Sequence, residues 1–305
     1  MLRAATFAAR FLPLCNGQLD MPFRRTLLIA PPLAVVLLLG VAPLVLVLVW
    51  SFWTWDPATY WIKPEPSLAG YGAILDAGRW TVIVSTLAKS LGAALLCTML
   101  AYPLAYAIHV MSGPRVQMLL LALITIPFFT SYLIRSFSWR LVLGRTGAIN
   151  ETLQALHITS APLDWLLFSN FAVMIGFIAS YLPFAVFPLL LSMRRVPPEL
   201  MAAARDLGAG FWHAVFTVLV PLTYAGLFAG FLFVFVMVAG SSTEVQMLGG
   251  AGASIVSIMI NDVMRVANYP LAFAISVIML VTIFGMVLIG NAFFKLSSLF
   301  GEEAE

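Results

Sequence analysis

Arg194-Arg195-Val196-Pro197-Pro198-Glu199-Leu200-Met201-Ala202-Ala203-Ala204-Arg205-Asp206-Leu207-Gly208 is a charged, alanine-rich stretch between two long apolar runs. Pro197 and Pro198 pre-set a helix start, because the first helical turn has no use for the N–H that proline lacks. Glu199 suits the first turn, where the helix dipole favours negative charge. Leu200 to Leu207 then reads as about two turns of helix. Ala202, Ala203 and Ala204 are strong helix formers with small side chains, so another surface can close on them. Gly208 permits the positive φ that stops the helix. Beyond it the chain climbs through Phe211, Trp212 and His213 towards Pro221. A short helix held by a glycine turn between two apolar runs gives a soluble partner something to grip. Force applied to it would tilt both runs together.

The surrounding composition is that of a membrane protein. Of 305 residues, 62% are hydrophobic and only 10% charged, against about 25% charged in a soluble domain. A bilayer core needs about 20 apolar residues per helix. Six segments qualify: 27–50, 82–109, 116–134, 171–193, 215–239 and 271–290. The expected fold is therefore an all-α membrane protein with six transmembrane helices, the quoted stretch lying between spans four and five. The net charge of +3 and the absence of Lys/Arg runs longer than two residues give no footprint for nucleic acid. Cys15 and Cys97 form no motif; Cys97 lies within a span and reads as a small hydrophobe.

Positive charge orients the chain. With the N-terminus inside, Arg3, Arg10, Arg24, Arg25, Arg115, Arg194, Arg195, Arg205 and Lys295 are cytoplasmic. Lys63, Arg79, Arg135, Arg140, Arg145 and Arg265 are external, a bias of nine against six. That favours N-in and C-in and places the polar stretch on the cytoplasmic side. The organisation expected is a cytoplasmic N-terminal segment (1–26), a six-helix membrane domain (27–291, with the polar loop at 194–213) and a cytoplasmic tail (292–305). Arg10 interrupts the apolar run of the first 20 residues, which makes a poor signal peptide. That segment is either dispensable, with Met21-Pro22-Phe23-Arg24-Arg25 a second possible start, or a short amphipathic surface helix.

Several features mark the spans and loops. Pro31 and Pro32 fit a first helical turn, and Pro43 should kink the first span. Trp50, Trp53, Trp55 and Trp61 read as an interfacial aromatic belt or, alternatively, an external docking surface. Lys89 lies inside the second span, where it either serves function, snorkels or faces a water-filled cavity. Pro103 kinks that span, and Ser112-Gly113-Pro114-Arg115 is a tight turn. Asn150 is the expected N-cap of a short external helix through His157, with Glu151 in its first turn. Pro183 and Pro188 should bend or break the fourth span, as in helices that line a path. Gly226 and Gly230 form a G-x-x-x-G face for close helix packing, whether within the chain or between subunits. Gly240 to Gly252 reads as a Gly- and Ser-rich external segment, followed by Asp262 and Arg265.

Enzyme chemistry finds no footing. No G-x-x-x-x-G-K-[ST] loop exists, since Gly249-Gly250-Ala251-Gly252 has no lysine after it. His109, His157 and His213 are scattered, with no nucleophile–base or metal-binding pattern.

Ala202-Ala203-Ala204-Arg205-Asp206-Leu207-Gly208, with Val218 and Val220-Pro221 following at matching distances, resembles the E-A-A…G…I-x-L-P motif of permease subunits of bacterial ABC importers. Ala202 stands in place of the motif's first Glu, Val218 of Ile and Val220 of Leu; Glu199 lies one turn earlier. The resemblance covers most of residues 27–291. Leu133-Ile134-Arg135-Ser136-Phe137-Ser138-Trp139, Gly147-Ala148-Ile149-Asn150, Tyr181-Leu182-Pro183-Phe184 and Leu248-Gly249-Gly250 are similar to the spermidine/putrescine-type branch. No Pro precedes Leu248-Gly249-Gly250 here, as one usually does in that branch.

This resemblance implies an inner-membrane permease that pairs with a homologous or identical permease. Two cytoplasmic ATPases would receive the coupling helix through Pro198, Glu199, Ala202, Ala203, Ala204, Arg205, Asp206 and Gly208. A periplasmic solute-binding protein would deliver the substrate. ATP would be bound by the partner, leaving this chain without cofactor. A polyamine path calls for carboxylates and aromatic faces; its candidates are Trp139, Tyr181, Glu244 and Asp262, with Asp164, each weighed against a solvated-loop reading. Lys89 is carried with them, although its charge opposes a cation. Together with external Arg135, Arg140 and Arg145 it keeps an organic anion open as a substrate. A stand-alone secondary transporter or channel is the rival of a different class; it would not need the cytoplasmic helix.

Overall fold

The computed structural model describes residues 30–76, 78–110, 113–250 and 253–294. The expected N-terminal segment, with Arg3, Arg10, Cys15 and Met21-Pro22-Phe23-Arg24-Arg25, lies outside the described residues, as do Ser112 and the tail from Lys295. The described residues fall into two compact units, divided after Trp50.

In the first unit, α1 (Ala30–Trp50) is one apolar helix of 21 residues, about 32 Å long at ~1.5 Å per residue. That is enough to cross a bilayer core. Its Leu37–Val41 segment is a π turn, closed by the Ala42 N–H donating to the Leu37 carbonyl. The widened turn ends two residues before Pro43, whose ring would otherwise press on the carbonyl four residues back.

The second unit opens with a small hairpin, the one strand pairing among the described residues. β1 (Thr54–Asp56) pairs antiparallel with β2 (Trp61–Lys63), Trp55 facing Ile62. A 2.8 Å ion pair joins Lys63 to Asp56, and the lysine's hydrogen bond holds the Asp56 carboxyl down at about 2. Helix α2 (Ala69–Asp76) follows, so the expected external loop is partly ordered structure.

Three long helices make the centre of this unit. They are α3 (Arg79–Val110), which runs on through Pro103, α7 (Asn170–Met193), and α9 (Phe211–Gly240). α7 packs most extensively against α9 and α3. Among the residues buried between these helices are Ala93, Ala94, Cys97, Phe177, Ala185, Leu189 and Val234, with Cys97 serving as the small hydrophobe expected. Ser169 caps α7 by accepting the Ala172 N–H, and α7 continues as helix past both Pro183 and Pro188. In lipid, where apolar surfaces gain nothing by leaving solvent, small residues that allow backbones to approach supply the association energy. Gly226 and Gly230 do this within the chain. A β-carbon on Gly226 would collide with the Ser192 side chain and come 2.7 Å from the Pro188 carbonyl oxygen; one on Gly230 would come 2.8 Å from that of Ala185. After its first turn, Phe211–Ala214, α9 also passes through a π turn, Val215–Leu219, which ends two residues before Pro221.

The third span differs from expectation. α4 (Pro114–Thr125) tightens into a 3₁₀ turn, Ile126–Phe129, and stops. After Thr130 and Ser131 the chain turns by 100° into α5 (Tyr132–Leu143) and α6 (Ala148–Ala155). Residues 114–129 rise only about 24 Å as helix, so the single run to Ile134 read from hydropathy is a short or broken span. Pro127 and the missing N–H it brings sit at the break. Five uninterrupted helices are long and apolar enough to cross a membrane, and the bent pair is the sixth candidate.

Asn150 is a second correction. Gly147 occupies the N-cap of α6. Asn150 is buried in the first turn, where its Nδ2 donates to the Gly144 carbonyl and its Oδ1 accepts the Leu163 N–H. It therefore ties two loops together, and the helix ends before the exposed His157.

Four more helices complete the unit. α8 (Pro198–Asp206) lies between α7 and α9, α10 (Thr243–Leu248) follows α9, and α11 (Val256–Arg265) leads to α12 (Tyr269–Phe294). The Gly- and Ser-rich stretch after residue 240 is thus largely helical. A second core, with Ile74, Ile83, Val256, Met259, Leu271 and Ile275, sits where α2, α11 and α12 meet α3.

Candidate functional site

Two places concentrate the residues singled out from sequence. The first is α8 and its flanks. Pro197 is the N-cap in extended conformation and Pro198 the first helical residue; Glu199 is in the first turn and Arg205 in the last, both matching the helix dipole. Gly208 has φ +83. Its N–H donates to the Arg205 carbonyl at 2.9 Å, and the Ala209 N–H to that of Ala204 at 3.0 Å. This is a Schellman closure, which needs the positive φ that glycine supplies. Met201 turns inward against the core. Glu199, Ala202, Ala203, Arg205, Asp206 and Gly208 are exposed, and Leu207 is 89% exposed. Nothing about such an end is self-sufficient: it offers small residues, both signs of charge and a naked leucine.

The junction with the rest of the chain is aromatic. Phe211 packs edge-on against Tyr106 of α3 at 5.6 Å and against Trp212 at 5.2 Å. Trp212 and Phe216 stay mostly exposed. Above them a groove of about 720 Å³ runs between α3 and α9, lined by Leu95, Met99, Tyr102, Trp212, Phe216 and Phe231 among others.

The second place is at the opposite end of α7 and α9. Glu244, expected in a solvated loop, is 1% exposed. α10 carries it onto α5 and α7. Gly176 makes the room: a β-carbon there would come 2.5 Å from Leu248 and 3.5 Å from the Glu244 side chain. One carboxylate oxygen, Oε2, accepts the Ser241 hydroxyl at 3.0 Å; the other, Oε1, is buried with no hydrogen-bond partner. The buried Tyr181 lies beside Ser241 and Glu244. Its ring neighbours are Phe177 (6.3 Å), Phe184 (6.3 Å) and Tyr132 (6.2 Å). The series continues outward through Phe128 to the surface.

The remaining candidates separate from this cluster. Trp139, on α5, is half-buried against the main core. Asp262 is exposed on α11 in a polar concavity with Gln246, Asn261 and Arg265. Gln246 lies two residues from Glu244, hence on a different side of α10. Asp164 forms an exposed 2.8 Å ion pair with Arg145. Lys89 is half-buried and donates to the Ser254 carbonyl at 3.1 Å. One turn away, the Thr86 hydroxyl accepts the Val256 N–H. α3 thus pins the segment that leads into α11, a role for Lys89 invisible in hydropathy. Arg135 is similarly engaged. It donates to the carbonyls of Pro127, Thr130 and Ser180, and its guanidinium sits 5.3 Å from the Tyr132 ring centre. Arg140 lies over Phe168 at 5.2 Å. Among the described residues no cluster of three or more His, Cys, Asp or Glu is placed to hold a metal.

Known proteins match this arrangement. The spermidine/putrescine transport system permease protein PotB of Haemophilus influenzae is 33% identical over 236 residues, 77% of this chain and 82% of that one. The PotB of Escherichia coli K12 is 32% identical over 256 residues, 84% and 91% of the two chains. The inner membrane ABC transporter permease protein YdcU of the same organism is 26% identical over 251 residues, 78% and 80%. A crystal structure of a bacterial alginate ABC transporter, in complex with its alginate pentasaccharide-bound periplasmic protein, superposes with a TM-score of 0.70 at 16% identity. It covers 90% of this chain and 96% of that one, a likeness of fold. No family model matches.

The chain belongs to the family of ABC transporter permease subunits, multi-pass proteins of the inner membrane. Within that family it is an importer permease with PotB proteins among its relatives, a subunit that is not itself catalytic and holds no cofactor.

Proposed function

We propose that this chain is the membrane subunit of an importer for a polyamine such as spermidine or putrescine. α8 is the coupling helix, docked through Pro198, Glu199, Ala202, Ala203, Ala204, Arg205, Asp206 and Gly208 into cytoplasmic ATPase subunits. A second permease, homologous or identical, encloses the path with it, and a periplasmic binding protein delivers the substrate. The domain organisation that goes with this reading is N-in and C-in around residues 27–291. ATP binding and release shift the pair between inward- and outward-facing arrangements.

One observation carries the mechanical part: a nine-residue helix, Pro198–Asp206, stands exposed between two long helices that pack tightly on each other. Moving it must move both. The polyamine assignment rests on the PotB relatives and on the chemistry of the far end. Glu244 and Tyr181 supply a carboxylate and aromatic faces, while the cations that spoke for an anionic substrate have internal partners. Lys89 is bound to Ser254, Arg135 to three carbonyls, and Arg145 to Asp164.

The decisive experiment reconstitutes this chain with its ATPase, partner permease and binding protein in proteoliposomes and measures ATP-dependent uptake of labelled spermidine and putrescine. Saturable uptake of either is expected. ATP hydrolysis stimulated by the loaded binding protein, with no polyamine accumulating, would sink the substrate assignment. A chain that fails to co-purify with any P-loop ATPase would sink the coupling role.

A further inference from the structure

The geometry points to Glu244, with the π faces of Tyr181 and Tyr132 leading to it, as the transit site that receives an ammonium group of the substrate. This deepens the polyamine reading above and rests on it.

The argument starts from a deficit. Asp and Glu are almost never fully buried unless paired. Glu244 is 1% exposed, its Oε2 has one hydroxyl, and its Oε1 makes no hydrogen bond of regular geometry although the Tyr181 side chain stands close to the carboxyl. Neither of the two ion pairs among the described residues includes it. A buried polar atom left without a partner carries its full desolvation cost. Elsewhere the chain settles its charges with care: Lys89 and Arg135 both reach backbone carbonyls. Arg135 Nε and Ser136 Oγ, on the α5 that packs against α10, are likewise buried without a partner; of these three atoms only Glu244 Oε1 is a pure acceptor and calls for a donor.

The surroundings say which donor. Gly176 keeps α7 open opposite the Glu244 stem. Tyr181 stands beside the carboxylate, and the ring series from Tyr181 to Tyr132, which is 42% exposed, makes a route from the surface inward. Aromatic faces attract cations, and the outermost ring already holds one, the Arg135 guanidinium. That guanidinium is anchored by the carbonyls of Pro127, Thr130 and Ser180 and stays at the rim. A primary ammonium presents three N–H donors. It can therefore donate to Oε1, neutralise the carboxylate's charge and lean on the Tyr181 ring, a combination that a neutral solute or an anion cannot offer. The site is shut in this conformation. An alternating-access protein that buries a carboxylate without a countercharge in one state has use for one in the other.

Two measurements on the complete transporter test this. In proteoliposomes, Glu244→Gln keeps the shape and the Ser241 contact but removes the charge. It is expected to lower kcat/KM for spermidine uptake by roughly 10- to 100-fold, the range of a charge-assisted hydrogen bond, while the variant still assembles with its ATPase. Tyr181→Leu is expected to weaken uptake less. Wild-type uptake with Glu244→Gln within twofold of it would overturn the site and leave the polyamine assignment standing. No wild-type polyamine uptake would overturn the assignment instead. The second measurement needs no variant: dicyclohexylcarbodiimide labelling of Glu244, followed by peptide mass spectrometry, should slow at least fivefold with saturating spermidine and not with NaCl of equal ionic strength. Equal labelling rates with and without spermidine would overturn the site whatever the uptake result.

Discussion

Gly208 and Gly226 are both glycines for physical reasons, and the reasons differ. At Gly208 the constraint is backbone: φ is +83 with open space around the α-carbon. A side chain costs about 1–2 kcal/mol there, and a β-branched one more. Gly208→Val is expected to abolish uptake while membrane insertion and yield stay normal; uptake per inserted molecule is the measurement, and normal uptake would refute the lever. At Gly226 the constraint is space, since Ser192 and the Pro188 carbonyl stand against it. Gly226→Val is expected to destabilise the α7–α9 contact by roughly 1–3 kcal/mol or more, read as a lower melting temperature in detergent. An unchanged melting curve would mean that the two helices separate without cost. The first constraint was legible in the sequence because a helix stop is local. The second was legible in part: spacing announced a smooth face, but not that the face lies within the chain. Asn150, read as an N-cap, and Glu244, weighed against a solvated loop, hid their burial for one common reason. Local sequence offers both a solvated setting, and only the tertiary neighbours, Leu163 for one and Gly176 for the other, reveal that they are buried.

Among elements, the broken third span is the instructive case. Its apolar run continues past Phe129, so hydropathy alone extends it to Ile134; Pro127 was the available signal for a break. The bend is held by Arg135, whose guanidinium collects the carbonyls of Pro127 and Thr130 at the end of the 3₁₀ turn and of Ser180 on α7. A cation at a helix C-terminus also answers the dipole. Arg135→Met is therefore expected to loosen the corner without unfolding the chain. Amide hydrogen exchange of residues 128–135 should quicken by roughly tenfold or more, as loss of a charged hydrogen bond implies. Unchanged exchange there, with α7 also unaffected, would show that the corner holds without it. The six-span count was legible because long apolar runs mark themselves; the 100° turn was not, because it depends on a side chain reaching a different helix.

On the scale of the whole molecule, the chain separates its tasks. Three tightly packed helices connect the exposed α8 end to a carboxylate–aromatic end, and the hairpin, α2 and α11 dress the far side. The orientation this requires is directly testable. Ala203→Cys, in an exposed position on α8, should react with a membrane-impermeant maleimide in inverted vesicles and not in intact cells, and the ATPase should shield it. Labelling from outside intact cells would invert the topology and remove the coupling role. Composition made the membrane-crossing helices readable from sequence, and the charge bias supplies the orientation that this labelling tests. Which residues meet at the carboxylate–aromatic end was not readable, because the contact joins α5, α7 and α10, segments separated by tens of residues.

The π turn at Val215–Leu219 carries a consequence of its own. It holds one residue more than an ordinary turn would, directly between α8 and the Gly226–Gly230 face. A π turn spreads its extra residue over one wider turn, so the α-helical stretches on either side keep their phase. Loss of a single residue from Val215–Leu219 would therefore close an ordinary turn with the Gly226–Gly230 face still aimed at α7. What the chain would forfeit is the slack in the backbone ladder that lets the Pro221 ring sit over the residue four back without breaking the helix.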